Sequence, residues 1–170
     1  MSVVWDLDGR LLDVLHELGA HLERVEVGAY VVTLPGRHRP TLVWLIAGEQ
    51  AVAVEAFVLH VIDVPDPAPL HRALLAKNLR LRSVHFGLDD VGDVFLTGSL
   101  PHAAVDLPTV DRLLGEVLQL LEDSTEGLLR AAYGDRLARD RSLADKVLAD
   151  GAGRRPAGTP EHAPRRDVRR

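Results

Sequence analysis

The chain has 170 residues, 46% of them hydrophobic, no cysteine and a formal net charge of −5. That length and apolar content suit one globular domain with its own core and exclude a disordered chain. The missing cysteines exclude disulfides, thiol catalysis and thiolate metal sites, and agree with a reducing cytoplasm. No apolar run approaches the ~20 residues that span a bilayer. Met1-Ser2-Val3-Val4-Trp5-Asp6 turns acidic without a basic segment, so no signal peptide is expected. The charge is uneven: residues 151–170 carry six Arg against Glu161 and Asp167, a net of +4, which leaves −9 on the rest. Phosphate contacts need clustered cations, so the folded part is not expected to bind nucleic acid.

In chain order, Leu7, Leu11, Leu15, Leu18 and Leu22 recur at three- and four-residue steps and predict an amphipathic helix over 7–22. Asp6 or Asp8 is its expected N-cap, and Gly19 ends or frays it. Three strands follow, over 29–34, 41–47 and 50–59. The second, Thr-Leu-Val-Trp-Leu-Ile-Ala, is apolar on both parities and should be covered on both faces. The short links allow only antiparallel neighbours, hence a meander.

Asp63-Val64-Pro65-Asp66-Pro67 breaks the sheet. Asp66 is the expected cap of a short helix over 70–79, with Pro67 at its first position. Leu70, Leu74 and Leu75 are expected to face inward, and Asn78 to take a left-handed cap. A hairpin over 81–88 and 93–97 turns at Asp89-Asp90-Val91-Gly92, where Gly92 supplies the positive φ. Asp106 caps a long helix with a stripe from Leu107 to Leu121. Asp123-Ser124-Thr125-Glu126 reads as a break with a fresh capping box, followed by a shorter helix to Tyr133. A polar helical extension over 136–150 has Leu137, Leu143 and Val147 as weak contacts. Residues 151–170, rich in Gly, Pro and Arg, read as a disordered basic tail.

The expected architecture is α+β: helix, three-strand meander, helix, hairpin, helix, with an antiparallel five-stranded sheet and helices mainly on one face. Residues 1–135 form that domain. Several stretches carry a family resemblance: Val54-Glu55-Ala56-Phe57, then Leu74-Leu75 with Asn78-Leu79 and Leu81, then Phe86-Gly87-Leu88-Asp89 with Gly92-Asp93-Val94. Leu100-Pro101 and Val110-Asp111-Arg112-Leu113-Leu114-Gly115 extend it. Over residues 7–135 the chain resembles the YbjN family in its actinobacterial form, and through it the fold of type III secretion chaperones. The resemblance implies a non-enzymatic, chaperone-like or regulatory protein that binds another protein and pairs with itself. It implies no cofactor.

A rival reading starts from Val3-Val4-Trp5-Asp6-Leu7-Asp8-Gly9-Arg10, which looks like the first motif of haloacid dehalogenase phosphatases. Asp6 would be the nucleophile, Asp8 the acid/base and Mg²⁺ the counter-charge, with Asp89, Asp90 and Asp93 as an acidic metal motif. Arg10 stands where that motif usually has Thr, and a meander is the wrong frame for it. The eight His show no zinc-binding spacing. Glu55 lies among apolar residues and calls for a partner such as Arg80 or Arg82. Leu42, Trp44 and Ile46 read as core or as an apolar groove; together with Glu55 and Phe57 they are the candidate partner-binding residues. One short helix cannot shield a second sheet face, so a homodimer is expected.

The tail offers no apolar face to bury. Truncation after Asp150 is expected to leave the melting temperature nearly unchanged; a drop of several degrees in a thermal melt would show that residues 151–170 dock.

Overall fold

In the computed structural model, residues 3–37 and 39–148 are described, with backbone only for 3–5 and 138. The elements run α1 (Val3–Glu17), β1 (His21–Glu26), β2 (Ala29–Leu34), β3 (Thr41–Ala47), β4 (Ala51–Leu59), α2 (Ala68–Asn78), β5 (Val84–Leu88), β6 (Val94–Pro101), a 3₁₀ turn (His102–Ala104), α3 (Leu107–Tyr133), α4 (Arg136–Arg139) and α5 (Arg141–Leu148). The sheet is antiparallel, in the order β1-β2-β3-β4-β6-β5. The fold is α+β as expected, but with six strands instead of five.

The extra strand comes from the tail of the expected first helix. Gly19 takes φ +65, and the N–H groups of Leu18, Gly19 and Ala20 close onto the carbonyls of Val14, His16 and Leu15. A glycine in the left-handed region is a helix stop, so α1 ends at Glu17 and the next six-residue run becomes β1. Leu22 fits both readings: it continues the helical stripe, and it also faces the core from β1, opposite Val32.

Register explains the two faces. Leu22, Val32, Val43, Ala56, Leu96 and Phe86 form one cross-strand row. This row shares a core with Leu7, Leu11 and Leu15 of α1, Leu70 and Leu74 of α2, and Val110 to Tyr133 of α3. The helices therefore pack on this side.

Three helical expectations change. Leu75 of α2 points to solvent, 69% exposed. Asn78 stays helical and has no left-handed conformation; its side-chain amide donates to Phe86 O at 2.9 Å and accepts from Phe86 N at 2.8 Å. The amide thus stands in for a missing strand along edge strand β5. Pro67, not Asp66, takes the cap position of α2, although Asp66 Oδ1 still accepts the Ala68 N–H at 3.0 Å.

The expected break at 123–126 is absent: α3 runs unbroken for 27 residues. Thr125 Oγ1 donates to Leu121 O at 2.6 Å, an i−4 bond that satisfies the hydroxyl inside the helix. Ser124 is buried, and Leu121, Leu128 and Ala132 carry the apolar stripe through. At the helix start Asp106 caps as expected, accepting from Thr109 N at 2.9 Å. That bond holds its carboxyl below the usual range.

The C-terminal contacts are stronger than expected. Val147 is fully buried and Leu143 is in the core. Tyr133 ties α3 to the end of β4: its hydroxyl accepts from Ile62 N at 2.9 Å and donates to His60 O at 3.0 Å. His60 N–H in turn donates to Val147 O at 3.0 Å. The basic tail lies outside the described residues.

Asp8 lies inside α1 and caps nothing. Its Oδ2 takes Arg24 Nη2 at 2.8 Å; its Oδ1 takes the Gly28 N–H at 2.9 Å and the Tyr30 hydroxyl. This buried carboxylate pins α1 to the β1–β2 hairpin. Burial first, and then the bond to Asp8, raises the Tyr30 pKa well above its ordinary 10.0. Asp8→Ala leaves a buried N–H and a buried hydroxyl without their acceptor, and is expected to cost about 3 kcal/mol in urea unfolding; Tyr30→Phe should cost about 1 kcal/mol. A phenol whose folded pKa is raised contributes stability in full below its unfolded value near 10. That contribution falls as pH rises beyond it, so alkaline destabilisation should be shallower in Tyr30→Phe; an unchanged slope would refute the linkage.

Candidate functional site

The face turned away from the helices is built by the same ladder. Glu23, Val31, Trp44, Glu55, Thr97 and His85 form one row across all six strands. His21, Thr33 and Leu42 form part of the next, and Phe57, Phe95 and Gly87 continue on its far side. Alternation along β3 puts Leu42, Trp44 and Ile46 on this face, and along β4 it puts Glu55 and Phe57 there. The five sequence-predicted residues therefore share one surface.

Its chemistry is apolar with a polar rim. Val31, Ile46, Phe57 and Phe95 are buried, yet none belongs to the core beneath the helices. Trp44 and Leu42 are half-buried. The Phe57 ring meets Phe95 edge-on at 5.5 Å and tilts against His60 at 4.6 Å. His60 Nδ1 lies 2.7 Å from Asp93 Oδ2, and Asp93 Oδ1 accepts the Val61 N–H at 2.9 Å. Glu55, only 5% exposed, sits between Trp44 and Thr97. The Trp44 indole N–H is buried with no acceptor among the described residues. An orphaned donor of this kind is costly. A hollow of about 410 Å³ over β1–β3 is lined by His21, Glu23, Val25, Val31, Leu42 and Trp44 among others. The core reading of Trp44 is thus corrected: the indole lies on the opposite face from the helices.

Among the described residues the phosphatase geometry is not present. Asp6 is exposed in the first turn of α1, and Asp8 is committed to Arg24, Gly28 and Tyr30. That chemistry needs its nucleophile at the end of a parallel strand, and every strand pairing among the described residues is antiparallel. Asp89 Oδ1 accepts from Val91 N and Asp93 N, which shapes the β5–β6 turn. Among the described residues no group of three or more His, Asp or Glu is arranged to hold a metal ion.

Sequence reading missed one site. The short link between the strands over 29–34 and 41–47 holds Arg39, which reaches across to Leu148 O at 2.7 Å and Val58 O at 3.0 Å. It forms the wall of a second, larger cleft. The only available signal was an arginine followed by proline in a loop between two apolar strands.

Residues 8–130 match the family model YbjN, described as a putative bacterial sensory transduction regulator. The chain belongs to the YbjN family. An uncharacterized protein of Mycobacterium leprae is 36% identical over 150 residues, which is 82% of this YbjN chain and 81% of that protein. An uncharacterized protein of Mycobacterium bovis is 36% identical over 113 residues, 66% of this chain; the match spans 61% of that relative, less than two thirds of its length. Among solved structures, the YbjN fold is similar to a chain of the ExsC–ExsE complex, with a TM-score of 0.56 at 21% identity, covering 75% of this chain and 97% of that one. It is also similar to a chain of the complex between the Yersinia pestis type III secretion chaperone SycH and a stable fragment of YscM2. There the TM-score is 0.50 at 20% identity, covering 68% of this chain and 96% of that one. The fold is type III secretion chaperone-like.

The placement of Asp6 and Asp8 yields a kinetic expectation. Purified protein with Mg²⁺ and a generic phosphomonoester should show no turnover that disappears in Asp6→Asn. Robust activity lost in that variant would restore the phosphatase reading.

Proposed function

We propose that this YbjN protein is a non-enzymatic, chaperone-like or regulatory module that binds a protein partner and works as a cytoplasmic homodimer. The observation that carries the reading is the outward sheet face: a row through Val31, Trp44 and Glu55 that no helix of the core covers. Trp44 is half-buried at its centre and offers the exposed part of its ring to a partner. Leu42, Ile46 and Phe57 supply apolar contacts around it, and Glu55 a charge. The solved SycH complex, in which a chaperone holds a fragment of another protein, supports a protein ligand by likeness of fold. No described helix is long and apolar enough to cross a membrane, which agrees with a water-soluble role.

Self-association has its own surface. Leu75 and Leu79 stand one turn apart on α2, 69% and 88% exposed, while Leu88 and Val91 are exposed on β5 and the turn after it. Pairing through these residues about a two-fold axis would remove large apolar side chains from water, each worth roughly 1.5–3 kcal/mol when fully buried. This surface differs from the second sheet face whose cover was the ground for expecting a pair, and it leaves that face free for a different protein.

Light scattering at micromolar concentration should give twice the 18.6 kDa chain mass, and Leu79→Asp should shift the population toward one chain. A single-chain mass throughout that range would refute the dimer. For the partner, a photo-crosslinking residue placed at position 44 should trap a discrete protein in the native cytoplasm, whereas the same residue at position 123, on the exposed side of α3, should not. Equal adducts from both positions, or none from position 44, would remove the sheet face as the binding surface.

A further inference from the structure

A cleft of about 630 Å³ opens at the end of the sheet, where β3 begins and β4 finishes. Its volume lies inside the ~300–1,000 Å³ range of small-molecule sites. Leu42 and Phe57 form its floor from the sheet, Leu121 and Leu129 one wall from α3, and Leu148 of α5 another. These surfaces are apolar. The charged groups on the rim are mostly spoken for. Glu122 uses both oxygens on Arg37, at 2.7 Å to the backbone N–H and 3.0 Å to Nε. Glu126 pairs with Arg130 at 2.7 Å. The Thr125 hydroxyl is bound to Leu121 O.

Arg39 is different. It is half-buried on the cleft wall and donates to two carbonyls, Leu148 O and Val58 O. Among the described residues no carboxylate pairs with it. Burial pulls its pKa below the usual guanidinium value with no neighbouring charge to offset it. An arginine nevertheless stays protonated in proteins, and two carbonyls occupy only part of its five-donor fork. Among the described residues, the cleft thus joins an apolar chamber to one cation that lacks an anion.

We propose that this cleft binds an amphipathic carboxylate of the fatty-acid type, its chain against Leu42, Phe57, Leu121, Leu129 and Leu148 and its head on Arg39. A peptide fits less well: its amide groups would need partners that these walls do not offer, at a desolvation cost for each. A single apolar chain with one anionic end leaves no polar group stranded. Arg39 also holds the last described carbonyl of α5, so an occupied cleft would tighten the seat of that helix. The site is separate from the outward face apart from Leu42 and Phe57, which border both.

The test uses the full chain and dodecanoate below its micelle concentration, read by titration calorimetry and by thermal shift. Dodecanoate should bind at one per chain and raise the melting temperature. Dodecanol and dodecyltrimethylammonium should bind at least tenfold more weakly, because they lack the charge-assisted bond to the guanidinium. Arg39→Gln should weaken dodecanoate about tenfold or more. Because Arg39 also holds α5, a second variant, Leu129→Trp, fills the cleft without touching that clamp and should abolish binding while its circular dichroism stays native. Equal binding of the cationic and anionic amphiphiles, unsaturable uptake, or full affinity in Leu129→Trp would each overturn the proposal. So would tighter capture of an apolar peptide with a free C-terminus than of dodecanoate.

Discussion

In an antiparallel sheet, directly opposed residues lie on the same face. One register therefore decides at once what packs under the helices and what looks away from them. Here the row Leu22-Val32-Val43-Ala56-Leu96-Phe86 makes the core, and the row one residue along, Glu23-Val31-Trp44-Glu55-Thr97-His85, makes the outward face. A slip of one residue in any ladder would exchange them. The apolar outward face is thus a consequence of β3 and β4 being apolar on both parities, while the helices pack mainly on the other side and meet this one only at the cleft beside Leu42 and Phe57.

Buried polar groups hold the helical layer in place on that sheet. Asp8 ties α1 to the β1–β2 hairpin through three donors. Asn78 ties the end of α2 to edge strand β5 through two bonds to Phe86. Tyr133, His60 and Arg39 tie α3 and α5 to the end of β4. The Asn78 tie closes a loop of only eight residues, whereas those of Tyr133 to β4 and of Arg39 to α5 close loops of 71 to 109, whose entropy the apolar core must offset. They also give direction where hydrophobic contact alone does not, because a hydrogen bond fails when a helix rotates or slides.

The two surfaces proposed to take other molecules differ in kind. The outward sheet face is broad and shallow, suited to an extended protein contact, with an aromatic residue at its centre. The cleft beside Arg39 is narrower in outline and lined on several sides by aliphatic residues, with Arg39 in its wall and Arg37 paired to Glu122 on its rim. They meet at Leu42 and Phe57, so an occupant of one borders the other.

The apolar strand runs of β2 to β4, the short turns between them, the N-cap at Asp106 and the apolar stripe of α3 were legible in the sequence, because each is a local pattern set by composition, backbone periodicity and capping. The gathering of Leu42, Trp44, Ile46, Glu55 and Phe57 was half legible: parity separates them from their neighbours, but only the pairing of β3 with β4 brings the two strands into one surface. Other features needed the tertiary structure. Leu22 satisfies a helical and a strand pattern equally, and it is the pairing of β1 with β2, pinned by Asp8, that decides between them. Ser124 and Thr125 read as a break because hydroxyls favour helix starts, yet continuous packing of Leu121 and Leu128 carries α3 through. Leu143 and Val147 show only as weak helical contacts, and Arg39 carries no local signal at all: their roles arise from packing against residues far away in the chain, such as Arg39 on Leu148 O and Val147 O under His60, which no window along the chain contains.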